Sequence, residues 1–91
     1  MPDPVDISVY KLLLKIVVAL VDRPEFVIIQ TQVTEDGAIF TVQAHPDDTG
    51  KLIGEPGKNA QSLRIITSGI GRKLRRRYVI AIHDETVETG R

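Results

Sequence analysis

The chain has 91 residues, 42% of them hydrophobic and 26% charged, with a formal net charge of zero. That length fits one small domain with a thin core, and the composition is too apolar for a disordered chain and too charged for a membrane protein. With no Cys, disulfide staples, thiolate zinc sites and cysteine nucleophiles are excluded.

The first predicted element is a helix from about Pro4 to Asp22. Pro at the first helical position behind an Asp cap is a favourable start, and Asp6 adds negative charge to the first turn. Leu13, Ile16, Val17 and Leu20 recur at three- and four-residue spacing, Val9 and Leu12 extend the stripe, and Lys11 and Lys15 fall opposite. Pro24 blocks continuation. From Phe26 to Thr34 the residues alternate with a period of two, Val27, Ile29, Thr31 and Val33 on one face, which predicts a strand. Glu35-Asp36-Gly37 signals a tight hairpin, and the second strand runs from Ala38 to Ala44 with Phe40, Val42 and Ala44 inward.

His45-Pro46-Asp47-Asp48 opens a short helix that reaches about Ile53, where Gly54-Glu55-Pro56-Gly57 breaks it. A third helix begins near Lys58, with Ala60, Leu63, Ile66, Ile70 and Leu74 on one side. Gly69 and Gly71 lie inside it, so either the backbone packs closely there or the helix is interrupted. Tyr78 to Ile82 is the last strand, with Tyr78, Ile80 and Ile82 on one face. Residues 84–91 are expected to be a frayed polar tail behind a single domain over 1–83. The order α-β-β-α-α-β gives an α+β two-layer sandwich, a three-stranded sheet covered by three helices.

The zero net charge conceals a segregation. Residues 1–50 hold three bases against eight acids, a net of −5. Residues 51–77 hold eight bases against Glu55 alone, a net of +7, and residues 78–91 carry −2. Such a basic segment on a neutral molecule presents a local positive field to a polyanion, although a solvated helix end would look the same.

The informative stretch is Gly50 through Arg64. Two glycines three residues apart between two helices allow a sharp turn and close backbone approach. The next helix offers unpaired N–H groups at its start, and Lys51 and Lys58 flank the turn, a setting suited to a phosphate. It is not a Walker loop, because the first glycine of that motif would fall at Leu52 and Asn59 stands where Ser or Thr is needed.

Three segments, Ala19–Glu25, Pro46–Gly54 and Gly57 through Arg64, carry a resemblance to the KH domain family in its helix-first, type II arrangement. The chain looks closest to the small bacterial single-KH RNA-binding proteins of the KhpA type, over about residues 5–83. The resemblance implies a groove holding about four unpaired nucleotides against a G-x-x-G loop. It makes Gly54, Glu55, Pro56 and Gly57 that loop, sets Lys51 and Lys58 toward phosphates, and places Ile53 on the groove floor with strand 38–44 opposite. Arg64 would support the path of the RNA. Plain core packing explains Ile53 equally well. The family usually carries basic or polar residues inside the loop, whereas here Glu55 brings a negative charge and Pro56 removes a backbone donor.

The function expected from the resemblance is single-stranded RNA binding, as an RNA chaperone or post-transcriptional regulator. The alternative is an interaction module with weak RNA binding that pairs with a larger Jag-type KH protein or with a second copy of itself. An enzyme is not expected. His45 and His83 have no triad or metal motif beside them, and helix-start chemistry accounts for His45-Pro46-Asp47-Asp48; no cofactor is implied. Met1-Pro2-Asp3-Pro4 lacks the basic start of a signal peptide, and the apolar run Ile16 to Val21 is far short of the ~18 residues a bilayer requires, so a cytoplasmic location without a membrane is expected.

Overall fold

Asp3 caps the first helix, α1 (Pro4–Leu20), its carboxylate accepting the Val5 N–H at 2.9 Å, with Pro4 at the first helical position. The computed structural model describes residues 3–54 and 58–83. Helix α1 ends two residues before the predicted Asp22, for a tertiary reason. The N–H groups of Asp22 and Arg23 donate to the carboxylate of Asp48, at 3.2 and 2.9 Å, instead of continuing the helical ladder. A short 3-10 turn (Pro24–Phe26) follows, which takes Phe26 and Val27 out of the predicted strand. Phe26 is set edge-on to the His45 ring, with centroids 4.8 Å apart.

Strands β1 (Ile28–Val33) and β2 (Gly37–Gln43) form the predicted hairpin, with Val33 opposite Ala38 and Ile28 opposite Gln43. Helices α2 (Pro46–Ile53) and α3 (Lys58–Leu74) then carry the chain across to β3 (Arg77–Ile82), which pairs in parallel with β2. A helical crossover is what a parallel pair needs. The sheet order is β1-β2-β3, so β2 is central and both β1 and β3 are edges.

The helices cover one face of the sheet. Val9, Leu13 and Val17 of α1, Leu52 of α2, and Ala60 and Leu63 of α3 meet Ile29, Ala38, Phe40, Val42, Tyr78, Ile80 and Ile82 in one core. Each Val, Leu, Ile or Phe side chain among these contributes roughly 1.5 to 3 kcal/mol when removed from water. On the opposite face of the sheet Ile28, Gln30, Gln32, Arg77 and Val79 are exposed. Leu12, expected on the apolar stripe, is exposed as well, while Ile16, Leu20 and Ala44 pack at the core's margin.

Helix α3 runs unbroken through Gly69 and Gly71, and its buried face is Ala60, Leu63, Thr67 and Gly71. Ile66, predicted inward, is 54% exposed. Gly71 explains the rotation: a Cβ there would stand 2.5 Å from the Arg76 carbonyl oxygen. The helix ends with the Arg76 N–H on the Gly71 carbonyl at 2.8 Å, the Arg75 N–H on Arg72 at 3.3 Å, and Arg75 itself at φ 60°. This is the left-handed closure usually supplied by glycine.

Candidate nucleic-acid interface

The two helices that frame the glycine turn are fixed by capping. The His45 side chain caps α2, Nδ1 accepting the Asp47 N–H at 3.1 Å. Among the described residues no cluster of three His, Asp or Glu side chains could hold a metal ion. At the other end of α2, Gly54 has φ 75° and ψ 179°, and its N–H donates to the Gly50 carbonyl at 2.8 Å. That backbone region is essentially closed to residues with a Cβ, and a Cβ there would also stand 2.6 Å from the Asn59 nitrogen. Asn59 completes the junction: its side-chain amide donates to the Lys51 carbonyl at 2.5 Å, so the first turn of α3 satisfies an orphan acceptor of the last turn of α2. The rest of the predicted loop, Glu55, Pro56 and Gly57, lies outside the described residues, as does the predicted tail 84–91.

Lys51 and Lys58 are exposed on the two sides of this junction. They are not equivalent. The Lys51 ammonium lies 3.1 Å from an Asp22 oxygen and 3.6 Å from Asp48, and the hydrogen bond it donates to Asp22 holds its pKa above the usual lysine value. Lys58 makes no ion pair with a described residue. Asp48, fully buried, is the hub beneath Lys51. Burial drives its pKa up, but the two backbone N–H donors and Lys51 more than reverse this and leave it below the ordinary value. Arg23 adds a pair to Asp47 at 3.1 Å. The residues 22–23 and 47–48 that carried the family resemblance thus bind α1's exit to α2 and steady the turn from below.

Ile53 is half-buried and packs against the core. Arg64 lies between α3 and the sheet, its Nε donating to the Ile80 carbonyl at 3.1 Å. It therefore also occupies an acceptor on the open edge of β3. A hollow lined by Arg64, Thr67, Ser68, Tyr78, Val79 and Ile80 follows this seam. Strand 38–44, expected across the groove, is the central strand and is hydrogen-bonded on both sides, so the open strand beside α3 is β3.

A family model described as KhpA/KhpB, KH domain, matches residues 10–82. The chain belongs to the KhpA/KhpB KH-domain family. It is a family of KH domains and not of enzymes. The chain is 38% identical over 56 residues to a Streptomyces coelicolor protein named RNA-binding protein KhpA, covering 62% of this chain and 71% of that one. A protein of the same name from Mycobacterium tuberculosis is 40% identical over 52 residues, 57% of this chain and 65% of its own. Another from Listeria monocytogenes is 33% identical over 63 residues, 69% of this chain and 83% of its own. No solved structure matches the chain. Among the described residues no helix is long and apolar enough to cross a membrane.

The structure adds two site features that sequence reasoning missed. Asn59 was read only as a mismatch to a Walker loop, yet it joins the helices on either side of the turn. Asp22, the predicted end of α1, is the nearest carboxylate to Lys51 among the described residues. Polar residues next to a glycine turn were the available signal for Asn59; for Asp22 the signal was its place in the Ala19–Glu25 segment of the resemblance, which gave it no contact with Lys51.

Proposed function

We propose that this KhpA/KhpB-family chain binds single-stranded RNA in the cytoplasm, holding about four nucleotides against the turn at Gly54 and acting as an RNA chaperone or post-transcriptional regulator. The observation that carries this reading is the junction itself. Gly54 turns in a conformation only glycine tolerates, Asn59 ties α2 to α3, and Lys51 and Lys58 flank the result. Relatives named as RNA-binding proteins support the ligand class. Lys58 meets the phosphates most directly, Gly54 through Gly57 lie along the RNA backbone, Ile53 supports the groove floor from the core, and Arg64 holds α3 to β3 beside it.

The test uses charge at two positions with opposite signs. Lys58→Glu is expected to weaken binding of a short single-stranded RNA, and Glu55→Lys to tighten it, each by about three- to thirtyfold at low salt. Both effects shrink as ionic strength rises, which a fluorescence titration at two salt concentrations reads directly. Unchanged affinity in both variants removes the turn from the RNA path.

A second reading is compatible with the first. Ile65 and Ile66 of α3 are 63% and 54% exposed, an apolar pair on a helix surface. They suit a protein contact, with a larger Jag-type KH protein or with a second copy of this chain. Ile65→Ser/Ile66→Ser should reduce the sedimentation coefficient of any such assembly while leaving the RNA titration in place.

A further inference from the structure

Most of the chain's positive charge does not sit at the glycine turn. Arg72, Lys73, Arg75 and Arg77 are exposed at the opposite end of α3 and the start of β3. Arg72 comes fourteen residues after Lys58, about 21 Å along the helix axis at ~1.5 Å per residue. Among the described residues none of these four side chains forms an ion pair. Arg76 differs from them: its guanidinium is bound to both carboxylate oxygens of Asp6. Asp36 is adjacent to Arg77, its carbonyl accepting the Arg77 N–H and its carboxylate accepting the Thr34 hydroxyl, but the two side chains form no ion pair.

Two adjoining hollows run along the α3–β3 seam toward these cations. The hollow along the α3–β3 seam runs from Arg64 past Thr67 to Ser68, Tyr78 and Val79. A second hollow shares Ser68, Tyr78 and Val79 with it and opens between Arg72 of α3 and Arg77 of β3. The two hollows together lead from Arg64, six residues along α3 from Lys58, to a rim formed by Arg72, Arg77 and the Asp6-paired Arg76. Arg72 and Arg77, neither of them ion-paired among the described residues, raise the local potential there and attract a chain of phosphates.

We propose that Arg72 and Arg77 form a second RNA-backbone site, which receives the phosphates of a strand continuing past the four-nucleotide groove along the α3–β3 seam. This rests on the RNA-binding reading above and extends it: the ligand is a longer single strand rather than an isolated tetranucleotide. At the ~3.4 Å per nucleotide of a stacked strand, the roughly 21 Å from Lys58 to Arg72 corresponds to about six nucleotides beyond the turn. The contact is with phosphates, so it lengthens the footprint without adding base preference.

The experiment compares a tetranucleotide with a decanucleotide of the same repeated base, titrated by NMR into the wild type and into Arg72→Gln/Arg77→Gln. Both side chains are exposed, and the Arg77 N–H that donates to the Asp36 carbonyl at 2.8 Å is kept, so the fold is retained. The variant-to-wild-type ratio of Kd cancels the extra registers open to the longer strand. It is expected near one for the tetranucleotide and fivefold or more for the decanucleotide at low salt. The decanucleotide's log–log salt slope is expected to fall by about 1.4, since each single-strand phosphate contact contributes roughly 0.7. Lys11→Gln/Lys15→Gln, which removes two charges from the exposed side of α1, should leave both ratios at one. Equal ratios for the two lengths, or an equal loss from the α1 control, overturns the second site while leaving the turn intact. Failure of both RNAs to bind the wild type overturns this proposal together with the function it rests on.

Discussion

The Arg76 guanidinium closes on both carboxylate oxygens of Asp6, seventy residues earlier in the chain, with Nε 3.1 Å from Oδ1 and a terminal nitrogen 2.6 Å from Oδ2. The Tyr78 hydroxyl donates to the same Oδ1 at 2.6 Å. Asp6 is only 1% exposed, so this is a charged pair fastened under the first turn of α1, tying that helix to the entry of β3. Burial raises the Asp6 pKa, and the hydrogen bonds from Arg76 and Tyr78 more than offset it, leaving the group below its ordinary value. Burial and the hydrogen bond to Asp6 push the Tyr78 hydroxyl up to about 12.

Removing the Asp6 carboxylate strands a cation against the core. Asp6→Ala is expected to lower stability by about 3 kcal/mol, the lower end of what breaking a buried pair costs. The pH dependence has a definite sign. A carboxylate whose folded pKa is depressed contributes stability that is present above its unfolded value of ~3.9 and lost as pH falls through the folded one. Tyr78, raised when folded, contributes stability that is present below ~10 and lost as pH rises toward about 12. Urea melts from pH 7 down to pH 2 should show a smaller acid loss in Asp6→Ala than in the wild type. An identical acid limb in the two proteins would show that Asp6 is not among the groups titrating there. A basic-segment variant that includes Arg76 would therefore lose fold and RNA contact together, which is why Arg72 and Arg77 are the positions that isolate the contact.

The two glycines inside α3 predict opposite outcomes for the same substitution. A Cβ at Gly69 meets nothing within 4 Å, so Gly69→Ala is expected to stabilise by about 0.5 to 1 kcal/mol through helix propensity. At Gly71 the added Cβ would stand 2.5 Å from the Arg76 carbonyl oxygen and 3.3 Å from the Tyr78 ring, so Gly71→Ala should destabilise and disturb the Asp6 pair. Thermal unfolding reads both signs, with a shift of several degrees per kcal/mol at this chain length. Similar melting temperatures for the two variants would refute the close approach at Gly71.

The sequence was most legible where local chemistry decides the structure. Asp3 with Pro4 set the start of α1, the alternation through Phe40 and Val42 set β2, and Tyr78, Ile80 and Ile82 set the inner face of β3. It misled where hydrophobicity stood in for contact. Ile66 read as core and is exposed, while Thr67 and Gly71 are buried because α3 comes close to the backbone before β3. Asp6 and Asp48 read as first-turn charges favouring their own helices. Both do sit in those first turns, but they are also buried tertiary fasteners whose partners lie 70 and about 25 residues away, beyond any local pattern. For the site, the glycine turn and Lys58 were visible from spacing. The engagement of Lys51 by Asp22 depends on where α1 ends, and the end of α1 depends on Asp48.

Gly54 makes a further prediction, because its glycine is required by backbone and not only by the proximity of RNA. Any residue with a Cβ is strained at φ 75° and ψ 179° and collides with Asn59. Gly54→Ala should cost roughly 1 to 3 kcal/mol and displace the Asn59 amide resonance even in the absence of RNA. Gly50→Ala, four residues earlier in α2 with nothing within 4 Å of its Cβ, is the matched control and should be neutral or mildly stabilising. An unchanged Asn59 resonance and melt for Gly54→Ala would mean the turn accepts a side chain, and loss of RNA binding in Gly54→Asp could then be read as charge alone.

The last prediction concerns the lysine that the structure finds engaged. Lys51 donates to Asp22 at 3.1 Å, and the Asp22 side chain is 73% exposed. That pair holds a negative charge within reach of any phosphate approaching Lys51. Asp22→Asn removes one negative charge and leaves the buried Asp48 carboxylate in place with its donors from residues 22 and 23, so the exit of α1 and the fold should persist. An exposed charge at 4 to 8 Å is worth roughly 0.5 to 1 kcal/mol near the dielectric of water, so binding of single-stranded RNA should tighten by about two- to fivefold at low salt. The gain should fade toward molar salt, where the screening length drops to ~3 Å. Losing the Asp22 hydrogen bond also brings the Lys51 pKa back toward the ordinary lysine value, a shift that side-chain NMR of the Lys51 ammonium can follow without RNA. If the pKa falls and RNA affinity does not move, Lys51 belongs to the scaffold beneath the turn, and Lys58 is left as the described lysine that meets the phosphates there.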